Sequence, residues 1–236
     1  MNYFAHAYPF LDDPYFMAGA CVPDWLTVVD RRVRVRSHRA EPLAADADRQ
    51  TAAVAGGIVQ HLRDDARFHE TRAFTELALQ LTVDARDRLG EDAGFRPSFL
   101  GHLLVEVLLD ASLIAEYPQR LETYYRRMET VDGRRVEEAV NRMANRPTER
   151  LAWMIACFCQ QRILWDYLED GKLLGRLNQV MRRVTLPPLP DHFQELFPAA
   201  RQKVAGRRAE LLDGIPTQLP IIHPCLPQGE RPCDTG

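Results

Sequence analysis

The chain has 236 residues, of which 46% are apolar and 27% are charged, so it is long and apolar enough to bury a core as ordinary globular proteins do. Its formal net charge of −3 argues against a nucleic-acid-binding protein, because there is no broad excess of positive charge to neutralise phosphates. The start of the chain lacks a basic region followed by an apolar stretch, and no run of about 18 apolar residues occurs. We therefore expect neither a signal peptide nor a membrane span.

The five cysteines are scattered along the chain and form no Cys-x-x-Cys motif. An odd, irregularly spaced set of this kind does not make a disulfide framework. Reduced thiols and a cytoplasmic location are the simplest interpretation.

The first 50 residues contain short segments. Asp12-Asp13-Pro14 separates an N-terminal segment from an apolar one that is expected to end near Pro23. The alternation of apolar and basic residues over 33–36 predicts a short strand at most.

Helical periodicity dominates from about Ala52 onward, because apolar residues recur there at spacings of three and four. The segments with this pattern are 52–69, 97–116, 120–144, 148–169, 172–184 and 190–212. They predict an all-α, multi-helix single domain over residues 1–213. After Gly214 the chain carries five prolines and few helix formers, so 214–236 is predicted to be an extended or disordered tail.

The residues that carry chemistry lie on two of these predicted helices. His61, Asp65 and His69 follow one another at four-residue spacing, and a helix advances about 100° per residue, so they share one face. Imidazole and carboxylate groups bind zinc or manganese. A carboxylate between two imidazoles can also bridge two ions, so the spacing predicts a metal site.

A second stripe of ionisable residues lies on the apolar helix predicted over 97–116. His102, Glu106 and Asp110 share a face of it, and burying them without partners would cost several kcal/mol. A metal ion that faces the first stripe would satisfy them. The same reasoning applies to Asp24, which follows Pro23 in an apolar segment.

Plainer interpretations exist for several of these residues. His6 alone could be a hydrogen-bonded structural histidine, and His38, which lies among arginines, could be solvated. Asp110 could only cap a helix or pair with an arginine. If the two stripes formed buried salt bridges with arginines, the chain would be a metal-free helical scaffold or partner-binding protein.

The run from Gly57 to His69, Gly-Ile-x-x-His-x-x-x-Asp-x-x-x-His, resembles the zinc-dependent phospholipase C family, which includes the catalytic domain of glycosylphosphatidylinositol phospholipase D. That family also has an early histidine, a Gly-x-x-x-Pro-Asp segment (here Gly19 to Asp24), an intervening histidine and a later His-x-x-x-Glu. The resemblance covers roughly residues 1–115. It implies a metal-ligand set of His6, Asp24, His38, His61, Asp65, His69, His102 and Glu106.

The opening Met-Asn-Tyr-Phe-Ala-His instead resembles acyl carrier protein phosphodiesterases, which begin almost identically and share Gly-Ile-x-x-His-x-x-x-Asp. Both resemblances imply hydrolysis of a phosphodiester at a helical metal site, and they differ in substrate. A cytoplasmic location favours a small soluble phosphodiester or a phosphopantetheinylated carrier protein over a lipid headgroup.

We therefore expect two divalent ions, zinc or alternatively manganese, with Asp65 or a hydroxide shared between them. One ion would be held by Asp24, His38, His61 and Asp65, and the other by His69, His102 and Glu106, with His6 as a further ligand or a neighbour of the ligands. Asp24 is expected to orient or deprotonate the attacking water.

The secreted phospholipases also bind a metal through the amine of a processed N-terminal residue. Without a signal peptide, no third ion is expected to be held in that way. A relative that keeps metal for structure alone, without catalysis, is the remaining alternative.

Overall fold

The structure, a computed structural model, describes residues 1–90 and 94–215. Within these ranges it consists of α-helices and short 3-10 segments without a β-strand, which confirms the predicted all-α fold. Most of the predicted tail lies outside the described residues. Ile215, just past the predicted domain boundary, is still buried.

The α-helices of the described residues are numbered in chain order. They are α1 (Tyr3–Ala7), α2 (Pro14–Val29), α3 (Ser37–Ala40), α4 (Arg49–Glu70), α5 (Arg72–Leu89), α6 (Pro97–Glu116), α7 (Pro118–Met128), α8 (Gly133–Met143), α9 (Leu151–Gln161), α10 (Asp170–Arg183), α11 (Phe197–Gly206) and α12 (Arg208–Leu211). The 3-10 segments lie at Tyr8–Phe10, Glu41–Ala45, Ile163–Leu168 and Asp191–Leu196.

Several predicted boundaries need correction. The segment predicted to end near Pro23 continues as α2 to Val29, because the continuation buries Trp25 and Leu26 and this packing outweighs the backbone hydrogen bond lost at Pro23. The predicted short strand is reduced to a single bridge between Val35 and Ala144. The segment with helical periodicity over 120–144 forms two helices, α7 and α8, and the break between them lies at the turn that the Asp132-Gly133 dipeptide predicts.

The sequence reasoning did not predict α5, which follows α4 with one residue between them. Thr71 is both the C-cap of α4 and the N-cap of α5. Its N–H bonds to the carbonyl of Phe68, and its hydroxyl accepts a hydrogen bond from the N–H of Phe74. Asp48 caps the other end of α4 by accepting from the N–H of Thr51.

Two glycines let α2 and α4 lie unusually close together. A Cβ atom on Gly19 would overlap the backbone of Val54, and one on Gly57 would overlap the carbonyl of Phe16. Any side chain at these positions would therefore force the helices apart. This close crossing brings the C-terminal half of α2 next to the middle of α4, where His61 lies.

Helix α6 lies at the centre of the fold and packs against α1, α5 and α11. Among the described residues it is the one helix long and apolar enough to cross a membrane, and 61% of its apolar window is buried inside the structure. The core helix of a globular protein meets the same criterion, so the predicted absence of a membrane span stays a prediction.

A buried carboxylate of α6 holds the start of the chain in place. Asp110 is completely buried, and its two oxygens accept hydrogen bonds from the N–H groups of Phe4, at 3.0 Å, and Ala5, at 2.7 Å. Asp110 thus caps the start of α1, which was its plainer interpretation. This contact fixes Met1 and His6 beside α4 and α6.

Candidate metal centre

Two groups of metal-ligating side chains lie at the junction of α1, α2, α4 and α6. The inner triad consists of His6, Asp24 and His61, and the outer triad consists of His69, His102 and Glu106. Within each triad, one candidate ligand atom per residue lies within 4.8 Å of the others. The predicted residues on the two stripes are therefore brought together.

The inner triad holds polar atoms that lack partners. Both ring nitrogens of His6 and the Oδ2 atom of Asp24 are buried without a hydrogen bond. The rings of His6 and His61 stack with their centres 3.8 Å apart. Buried polar atoms almost always have a partner, so this triad fits a bound cation.

The protonation states of the two histidines in the inner triad also fit a metal. Burial lowers the pKa of His61 to about 4, and burial together with the neighbouring His61 ring lowers the pKa of His6 well below its usual value. Both rings are therefore neutral at pH 7, the form that coordinates metals. The Nδ1 atom of His61 lies 2.7 Å from the carbonyl of Ala20 and donates to it, which leaves Nε2 as the ligand atom.

The outer triad has the dimensions of a coordination site. The Nε2 atoms of His69 and His102 are 3.2 Å apart, and the Oε1 atom of Glu106 lies 3.3 Å from the first and 3.1 Å from the second. A tetrahedral zinc ion with bonds of 2.0–2.1 Å separates its ligands by roughly 3.3–3.4 Å. Because the His102 side chain is 46% exposed, one side of this triad faces solvent.

Asp65 lies between the two triads. Its Oδ2 atom is 3.4 Å from Nδ1 of His69, and its Oδ1 atom is 4.0 Å from Nε2 of His6. Because Nδ1 of His69 is the ring nitrogen opposite its candidate ligand atom Nε2, the contact with Asp65 orients this ring. Asp65 belongs to neither triad, so its role as a shared ligand stays a prediction.

The Met1 amine also lies in this centre, a contact that the sequence reasoning did not predict. Its nitrogen is buried, 2.7 Å from Oδ1 of Asp65 and 3.4 Å from Oε1 of Glu106. The resembled phospholipases bind metal through an N-terminal amine, and that property could have suggested a role for Met1 here. The amine supplies positive charge where two carboxylates converge.

The charges of the centre shift several pKa values. Burial would raise the pKa of Glu106, but the Met1 amine and the two outer histidines outweigh burial and lower it to about 2. Burial also opposes ionisation of Asp65, yet its bond with His69 and the Met1 amine hold its pKa well below the usual range. Hydrogen bonds to Asp65 and Glu106 raise the pKa of His69 to about 9.

The structure does not bring His38 to the other predicted ligands. Its side chain is exposed on the short helix α3, and it belongs to neither triad. His6, and not His38, lies beside Asp24 and His61. Asp110 anchors the start of the chain there.

A cleft of about 810 Å³ leads away from the centre, and sequence reasoning did not predict it. Met1, Asp24 and Glu106 line its inner end. Its walls include apolar side chains of α6 and α9, and arginines lie at its outer end. The volume falls in the range of small-molecule sites.

No protein-family model, curated protein or solved structure matches the chain. The resemblance to phospholipases C and to acyl carrier protein phosphodiesterases therefore stays a prediction.

Proposed function

We propose that this protein is a metal-dependent phosphodiester hydrolase. The observation that carries the proposal is that two triads of potential metal ligands lie at one junction of helices, since paired divalent sites of imidazoles and carboxylates are typical of enzymes that hydrolyse phosphoesters. The sequence resemblances point to the same reaction and leave the substrate open between a lipid-like and a phosphopantetheinyl diester.

The inner triad would hold one ion and the outer triad the other, with Asp65 between them. Zinc fits the imidazole and carboxylate donors, and manganese is the alternative. When bound, such ions supply Lewis acidity to phosphoryl oxygens and lower the pKa of a coordinated water.

The chain's own groups have distinct roles in this proposal. Asp24 presents a buried carboxylate oxygen without a partner at the inner end of the cleft, so it can orient a water molecule and accept its proton. Asp65 keeps its negative charge and fixes the ring of His69.

One observation favours a different function for the same cluster. The Met1 amine already compensates Asp65 and Glu106, so the residues could form an ionic network that needs no metal. The scaffold alternative expected salt bridges with arginines, but no arginine among residues 1–90 and 94–215 forms a salt bridge with either carboxylate. Metal analysis distinguishes a metal-dependent enzyme from a metal-free ionic network.

The test combines metal content with hydrolysis of bis-p-nitrophenyl phosphate. We expect the purified protein to retain about two zinc equivalents after dialysis and to release p-nitrophenol. Glu106→Gln should remove about one metal equivalent and lower turnover at least tenfold, whereas the matched control His38→Ala should change neither. Metal-free protein without turnover, even after zinc is added, contradicts the proposal. Bound metal without turnover indicates a structural metal site.

A further inference from the structure

Four arginines gather at the outer end of the cleft. Arg31, Arg32 and Arg34 lie just after α2, and Arg183 is the last residue of α10. We call these four residues the arginine rim. All four are exposed, and none forms a salt bridge with a carboxylate among residues 1–90 and 94–215. Arg176, which also lines the cleft, is bound instead to Asp166 at 2.7 Å.

The turn that carries three of the rim arginines is held in one conformation. Asn145 accepts a hydrogen bond from the N–H of Arg34 at 2.7 Å, and its amide donates to the carbonyl of Arg32 at 3.2 Å. Val33 between them is completely buried. The backbone that carries these three arginines is therefore fixed before any ligand binds, although their exposed side chains must still become ordered.

The rim is separated from the metal centre by an apolar wall. Phe99, Leu103 and Val107, on one face of α6, line the cleft together with Met154 and Phe158 of α9. Arg31 follows Asp24 by seven residues, most of them helical, so the rim begins roughly 10 Å from the centre at 1.5 Å per residue.

Negative charge lies at the metal-centre end of the cleft and positive charge at the rim. Asp24 and Glu106 supply negative charge at the centre, and Asp30 is the single carboxylate among the cleft residues close to the rim. The four positive guanidinium groups of the rim outnumber this single negative carboxylate. Guanidinium groups bind carboxylates and phosphates through paired hydrogen bonds, so the outer end favours an anion.

We propose that the substrate is a phosphodiester with a second anionic group, a carboxylate or phosphate, at the far end of an apolar arm, and that the arginine rim binds this group. The inference rests on the proposed hydrolysis, because the scissile diester must occupy the metal centre while the arm lies along the apolar wall. The second anion belongs to the substrate molecule itself.

The test uses two p-nitrophenyl alkyl phosphates with the same eight-carbon chain, one ending in a carboxylate and the other in a hydroxyl group. We expect kcat/KM of the zinc-loaded protein to be about tenfold higher for the carboxylate. In Arg31→Gln/Arg183→Gln this ratio should fall close to one. The matched control Arg86→Gln, an exposed arginine outside the cleft, should keep the tenfold ratio.

Binding provides a readout that does not depend on turnover. The corresponding alkylphosphonates, which lack the ester bond, should bind the zinc-loaded protein with Kd values that differ about tenfold in calorimetry. The double variant should lose this difference. Thermal unfolding of each variant establishes that it is folded.

The outcomes separate the two proposals. Turnover of both esters with equal kcat/KM, and equal Kd values for both phosphonates, overturns the second anionic group and leaves the hydrolase proposal standing. Cleavage of a phosphopantetheinylated carrier protein with no preference between the small esters also overturns it. Protein that binds no zinc and hydrolyses no diester overturns the hydrolase proposal, and this inference with it.

Discussion

The Nε2 atoms of His69 and His102 lie 3.2 Å apart, although the residues are separated by 33 positions in the chain. Two imidazole nitrogens can face each other at this distance only if a proton or a cation lies between them. Glu106 completes the triangle at 3.1 and 3.3 Å. The pairing therefore makes the outer triad the most direct place to test for metal.

The two ions should be lost in a fixed order. The outer triad is partly exposed and the inner triad is largely buried, so a chelator should remove the outer ion first. His102→Ala should contain one equivalent fewer than the native protein and should lack the first phase of release. Stopped-flow chelation with metal analysis would measure both quantities.

His192→Ala is the control for this experiment, since His192 is exposed, belongs to neither triad, and its ring forms a hydrogen bond with the carbonyl of Arg88. It should release both ions as the native protein does. Simultaneous loss of both ions in the native protein would contradict independent triads.

Metal-free protein should lose stability as the pH rises from 6.5 to 9. The pKa of His69 is about 9 in the folded state because of Asp65 and Glu106, against an ordinary value of 6.5. The folded state therefore holds the proton more tightly, so its stabilisation is complete below pH 6.5 and disappears as the pH passes 9. The slope is at most about 1.4 kcal/mol per pH unit.

Urea unfolding at several pH values would measure this slope, and His69→Gln should flatten it between pH 6.5 and 8. The pKa of the Met1 amine is also raised, by Glu106 and Asp65 against the opposing effect of burial, so a residual decline above pH 8 should remain in the variant. An unchanged slope in His69→Gln would show that the ring is not the titrating group.

A methyl group at the crossing of α2 and α4 should destabilise the fold. In Gly57→Ala the new Cβ would overlap the carbonyl of Phe16, so the helices must separate at a cost of about 3 kcal/mol. Gly175→Ala provides the control, because no atom lies within 4 Å of its Cβ position in α10. That substitution should stabilise the protein by about 0.5–1 kcal/mol, measured by urea unfolding.

Gly57→Ala should also weaken metal retention, since the same crossing brings Asp24 beside His61. Equal stabilities for the two glycine variants would mean that the helices are not in close contact.

Replacing Asp110 should release the start of the chain. Asp110→Leu leaves the buried N–H groups of Phe4 and Ala5 without an acceptor, which should cost about 3 kcal/mol. Asp110→Asn keeps one acceptor oxygen and should cost about half as much. Both variants should lose the inner ion, which His6 helps to hold, before the outer one, and unfolding with metal analysis would detect this. Loss of the outer ion first would contradict the anchoring role.

The sequence predicted the all-α fold and which residues of two helices lie close together, but not every helix. The four-residue spacing of His61, Asp65 and His69 is a local property of one helix, and His102 and Glu106 follow the same rule. Helix α5 was missed although its buried residues Phe74, Leu77 and Leu81 recur at helical spacing, because no predicted segment covered 72–89.

Residues that depend on long-range contacts could not be assigned in this way. His6 reaches the inner triad because Asp110, more than 100 positions away, caps α1. His38 lies in the right order along the chain, but α3 leaves its side chain in solvent. The arginine rim was likewise hidden, since Asn145 and Arg183 come from distant parts of the sequence.

The burial of the Met1 amine has a practical consequence for anyone who prepares this protein. A purification tag joined to Met1 would replace the charged amine with a neutral amide and add peptide at a buried position next to Asp65 and Glu106. Samples for metal or activity measurements therefore need an unmodified amine at Met1, with the handle attached beyond Gly236.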